Sequence, residues 1–87
     1  MGEAIGVARY YFDVQDGTDL LRDDEGAEFD SLGAAIRGAA RSAAEIGTDR
    51  LARGDLNDVV IEVRDEHDRR VVTVTALMKI EQNELSS

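Results

Sequence analysis

The chain has 87 residues, 19 of them acidic and 10 basic, with one histidine and a formal net charge of -9. At this length folding buries roughly 60 to 65 % of the surface that the unfolded chain exposes, enough for one modest core and too little for a deep interdomain cleft. A single domain over residues 1–87 is expected, with an ordered core at about 7–81 and a frayed tail from Gln82. Phosphate binding is driven by clusters of Lys and Arg that displace counterions, and none occurs here, so neither nucleic acid nor an anionic membrane surface is an expected partner.

The chain contains no cysteine, which removes disulfides, thiolate nucleophiles and zinc-thiolate sites. No apolar run reaches the roughly 18 to 20 residues that span a bilayer, and Met1–Gly6 lacks the basic start of a secretion signal, so a cytoplasmic location is expected. Gly2 is not read as a myristoylation site, because that motif wants Ser or Thr where this chain has Gly6.

From Val7 to Val14 the chain alternates with period two, which predicts a half-buried strand with Tyr10, Phe12 and Val14 inward and Arg9, Tyr11 and Asp13 outward. Asp16-Gly17-Thr18-Asp19 carries turn chemistry, and a short second strand over Leu20–Arg22 closes a hairpin. An acidic loop with Gly26 follows. Asp30 or Ser31 can cap a helix, with Phe29 stapled onto its first turns. At 100° per residue, the helix to about Arg53 places Leu32, Ile36, Ala39, Ala40, Ala43 and Gly47 on one stripe, flanked by Ile46 and Leu51. Gly47 in that stripe suits a close approach to a sheet, or a kink; Arg50 falls near the stripe and snorkels at its edge.

The last third predicts a second hairpin. Val59, Ile61 and Val63 point inward before the turn Asp65-Glu66-His67-Asp68, and Val72, Val74, Ala76, Met78 and Ile80 point inward on a return strand over Arg70–Ile80. The order strand-strand-helix-strand-strand gives an α+β two-layer sandwich, an antiparallel sheet with one long helix on one face. Its other face carries Tyr11, Val60, Val71, Thr73 and Leu77, and these five are the candidate interface of a homodimer or partner contact.

Candidate chemistry is sparse. The acids from Asp16 to Glu28, with Asp13, could hold a hard cation such as calcium, although their spacing does not match the helix-loop-helix calcium loop; a solvated acidic edge is the plainer reading. His67 sits between Glu66 and Asp68 at a hairpin tip, and nothing places it beside Ser31, Ser42 or a threonine as a nucleophile and base pair would need. There is no glycine-rich phosphate loop, metal-ligand spacing or dinucleotide fingerprint. Neither catalysis nor a cofactor or metal is expected.

RYYFDVQDG at 9–17, DDEGAEFDSLGAA at 23–35 and VVIEVRDEHDRRVVTV at 59–74 together resemble a bacterial, alphaproteobacterial-type family of small domains of unknown function. Its members run from an RYFF or RYYF strand through an Asp-Gly turn and an acidic D-x-x-G loop to a helix and a closing hairpin. This chain departs from the pattern in its closing turn, where His67-Asp68 stands in place of the usual glycine. The layout is also similar, more loosely, to HicB-type antitoxin domains, and that resemblance implies a small basic protein as partner, which the net charge of -9 would attract. The reading is thus a non-enzymatic module for self-association or protein interaction, with a ligand- or cation-binding sensor at Asp16–Glu28, or an antitoxin-like protein, as alternatives.

Overall fold

A computed structural model describes residues 7–83, apart from the side chain of Asp16. The expectations for Met1–Gly6 and for the chain past Asn83 lie outside these residues. Six elements follow in order: β1 (Ala8–Asp16), β2 (Asp19–Leu21), β3 (Ala27–Phe29), α1 (Leu32–Ala52), β4 (Val59–Arg64) and β5 (Arg70–Ala76). The fold is the α+β two-layer arrangement that the alternation predicts, an antiparallel sheet with one long helix against it, with β3 as a further short strand.

The sheet runs β2-β1-β4-β5, with β3 also on β1. One edge of β1 pairs with β4 from Tyr11↔Arg64 to Gln15↔Val60. The other edge is shared: β3 takes Ala8–Tyr10 and β2 takes Val14–Asp16. Between them a gap opens on that edge at Tyr11–Asp13, and the acidic loop lies there.

Strand alternation sends Val59, Ile61 and Val63 to the helix side, where each is fully buried. Tyr10, Phe12, Val14, Val72, Val74, Ala76 and Met78 pack around them, as the period-two reading predicts. Phe29 joins the core from β3, stacked on Phe12 at 5.6 Å between ring centroids, and its ring meets the helix at Gly38. Ile80 does not belong to this set: the return strand ends at Ala76, and Ile80 is 58 % exposed. The second strand likewise sits one residue earlier than predicted.

Ser31 caps the helix, its Oγ accepting from the Ala34 N–H at 3.0 Å. The residues that α1 buries are Ala35, Ala39, Ala43 and Gly47, spaced by four, followed by Arg50. Ala40 is exposed, and Leu32 and Leu51 lie at the exposed margin, so the true stripe is rotated from the predicted one toward the smallest residues. Small side chains let the helix backbone close on the valines of β4. At Gly47, a Cβ would stand 2.9 Å from the Met78 sulfur, so a methyl group there requires the flexible Met78 side chain to move aside. The helix runs without a break through Gly47. Arg50 is buried instead of snorkelling, and its guanidinium donates to the Asp58 carbonyl at 3.3 Å.

Candidate functional site

The polar centre of the molecule is Arg64, the last residue of β4 and only 7 % exposed. Its side chain lies on the sheet face away from the helix, beside Asp13 of β1, which is 1 % exposed. Arg64 donates from Nε to Asp13 Oδ2 at 2.6 Å and from Nη2 to Asp13 Oδ1 at 3.1 Å, a bidentate pair. Nη2 also reaches the Asp23 carbonyl at 2.8 Å, Nη1 reaches Asp68 Oδ1 at 2.9 Å, and the guanidinium lies 4.9 Å from the centre of the Tyr11 ring. One arginine thus ties two strands, the acidic loop and the closing turn.

The loop is held as closely. The Asp23 carboxylate accepts from the backbone N–H groups of Phe12, Glu25 and Gly26 at 3.0 to 3.1 Å, and the Asp23 N–H donates to Asp13 at 2.9 Å. The contact with Phe12 replaces a ladder bond in the gap between β2 and β3, so a side chain takes the place of a strand. Gly26 turns the chain with φ +69°, and a Cβ there would meet the Tyr10 carbonyl and the Tyr11 ring at 2.8 Å. The D-x-x-G signature therefore has a mechanical origin: Asp23 bonds the gap and Gly26 passes the backbone against the strand. Arg9 secures the far side of the loop, donating to the Glu25 carbonyl at 2.9 Å and to Glu28 at 3.3 Å.

Asp68 adopts φ +63°, the left-handed region where glycine is the usual occupant. Its carboxylate receives both Arg64 and, at 3.0 Å, Arg22, so the closing turn brings an anion to the latch. A shallow cleft of about 260 Å³ remains, lined by Tyr11, Arg22, Asp24, Glu66 and the latch itself. No buried side-chain polar atom among the described residues is without a hydrogen bond.

Electrostatics follow the geometry. Burial pushes the Asp13 carboxyl up, but the Arg64 guanidinium and the Asp23 N–H outweigh it and hold it below the usual carboxylate range. Asp23 is likewise lowered against its burial, by three backbone N–H donors. Arg22 and then Arg64 lower Asp68, backbone N–H groups and Arg69 lower Asp65, and the bond to Asp13 raises Arg64. Each of these carboxyls is a stronger acid folded than unfolded, so below the ordinary value of about 3.9 the unfolded chain binds protons that the folded one refuses. Stability is complete above about pH 5 and declines as pH falls through about 4 toward 2. Urea unfolding at pH 7, 5, 4 and 3 checks this; a midpoint that holds or rises between pH 4 and 3 would refute it.

The five predicted interface residues do not form one patch. Tyr11 is half-buried under Arg64, Val60 is half-buried, and Thr73 donates to Glu62 at 2.6 Å. Val71, 40 % exposed, lies at a bulge in β5 opposite Arg64. Leu77, 74 % exposed, follows β5 and lines an apolar groove with Ala44, Gly47, Thr48, Leu51 and Met78. In the acidic region Asp13 and Asp23 are turned inward onto donors, and among the described residues no group of three or more His or acidic side chains is placed to hold a metal ion. His67 is exposed in the closing turn. The reading by alternation missed Asp13, Asp23 and Arg64 as a unit, because each strand carries other charges, Arg9 in β1 and Glu62 in β4, that face outward in the same way.

These features define a small antiparallel α+β domain whose sheet edge is closed by a loop latched to a buried ion pair. The chain belongs to the family described as Domain of unknown function (DUF6894), whose model matches residues 9–77, from the arginine that anchors the loop to the leucine of the groove. No curated protein and no solved structure matches the chain. Among the described residues, no helix is long and apolar enough to cross a membrane.

Proposed function

We propose that this protein is a non-enzymatic, cytoplasmic module that works by self-association, as a dimer. The observation that carries the reading is uncovered apolar surface at both ends of β5: Leu77, 74 % exposed, with Leu51, 36 % exposed, in the groove past its last residue, and Val71, 40 % exposed, near its first. A domain this small gains much by covering such a surface with a second molecule. The polar cleft supports the same reading from the other side, because its Asp13, Asp23, Arg64 and Asp68 are engaged with one another and hold the loop.

Sedimentation equilibrium over roughly 5 to 200 μM tests it. The wild-type chain sediments at twice its chain mass, and the variant carrying Val71→Glu and Leu77→Glu sediments as a folded monomer, with unchanged circular dichroism. A wild-type monomer throughout that range, or an unaltered dimer in the variant, overturns the reading.

A further inference from the structure

We infer that two copies join edge to edge, β5 against β5 in antiparallel register centred on Thr73, so that one sheet continues through both molecules. This rests on the reading of self-association above. β5 is the terminal strand of the sheet, and among the described residues no strand pairs with its outer edge, which leaves alternate N–H and C=O groups of Arg70–Ala76 facing outward. What satisfies such a row is another extended strand.

The charge pattern selects a second copy at this edge. Residues 69–80 contain Arg69, Arg70 and Lys79 and no carboxylate, in a chain of net charge -9, so two molecules repel least here. Centring on Thr73 pairs all seven residues of the strand and sets Arg70 against Ala76 of the other copy, so no two cations face each other. Ala76 pairs with Val59 within its own sheet, and Asp58 precedes Val59. The arginines of each copy therefore arrive at the end of the sheet that carries the other's Asp58. The same register sets Val72 against Val74 on the helix side and Val71 against Thr75 on the open side, cross-strand pairs of β-branched residues that favour one another. Stacking of the open sheet faces is the poorer solution. The middle of that face is the row Asp13, Glu62, Thr73, with Glu62 accepting from Thr73 and lying 3.6 Å from Arg70, and burial would strip Glu62 and Arg70 of the water that they still hold.

Cysteine cross-linking decides the matter, because the native chain has no cysteine to interfere. In the inferred register, Thr73 faces its own equivalent with Cα atoms about 4.5 to 5.5 Å apart, within disulfide reach, whereas the two Thr75 positions lie four residues out of register. Under mild oxidation Thr73→Cys becomes a covalent dimer, Thr75→Cys does not, and a mixture of Val71→Cys and Thr75→Cys chains yields the mixed dimer. Circular dichroism verifies that each variant folds, and the mixed pair tests the register without altering Thr73. A wild-type dimer in which Thr73→Cys and the mixed pair fail to cross-link, or in which Thr75→Cys links equally well, overturns the edge pairing and leaves self-association standing. A wild-type monomer by sedimentation overturns both.

Discussion

Asp13→Ala lowers the stability of the domain by about 3–5 kcal/mol, the largest loss we expect from one substitution outside the hydrophobic core. The mutation leaves the Arg64 guanidinium, 7 % exposed, beside a missing carboxylate, and it also strips the Asp23 N–H of its acceptor. An unpaired charge in that position costs far more than the pair contributes over an apolar substitute, because the desolvation of the arginine is then uncompensated. For a domain of this size each kcal/mol moves the melting temperature by about 4–8 °C, so the midpoint falls by about 12–40 °C. Thermal and urea unfolding measure it, with Asp13→Leu combined with Arg64→Met as the companion, which recovers most of the loss. A drop of less than about 1 kcal/mol for Asp13→Ala would show that water, not Asp13, satisfies Arg64.

Gly26→Ala costs about 2–5 kcal/mol, from two sources. A left-handed backbone is unfavourable for any residue with a Cβ by about 1–2 kcal/mol. Here the added atom also lies 2.8 Å from the Tyr10 carbonyl oxygen, which cannot swing aside because Tyr10 is paired with Ala27 in the sheet. Displacing packed neighbours adds about 1–3 kcal/mol. Gly17 supplies the control, since it has nearly the same φ, +63°, and nothing within 4 Å of its added Cβ. Gly17→Ala is therefore expected to cost only the backbone part, about 1–2 kcal/mol. Equal losses in urea unfolding at the two positions would mean that the loop does not press on β1 as described.

These two expectations mark where reading by pattern stops. Strand alternation was legible because its period is two and large β-branched and aromatic residues fill the inward positions: Tyr10, Phe12, Val14, Val59, Ile61, Val63, Val72 and Val74 all pack in the core. The Ser31 cap was legible from local chemistry. The phase of the helix was harder, because so many of its positions are alanine or glycine that the few leucines dominate any apolar plot. The sheet instead selects the small ridge Ala35, Ala39, Ala43 and Gly47, and leaves Leu32 and Leu51 at the margin. β3 has three residues and too little pattern to declare itself. The latch escaped for a different reason: Asp13 and Arg64 each look like an ordinary outward residue, and only the pairing of β1 with β4 brings them together. The exposure of Leu77 was foreseen, but its neighbours were not. It belongs to a groove beneath the end of the helix, away from Tyr11 and Val60.

The pairing of β1 with β4 also governs how the chain reaches this fold. β1 is made before its central partner β4, and Asp13 and Arg64 are 51 residues apart. Closing a loop of that length costs about 3.5 kcal/mol of chain entropy before any contact is gained, so formation of the central strand pair is a slow step. Until Val59–Arg64 emerges from the ribosome, β1 can pair only with β2 and β3, and Tyr10, Phe12 and Val14 lack Val59, Ile61 and Val63. The nascent chain consequently carries an aromatic strand that lacks its central partner until Val59–Arg64 is made.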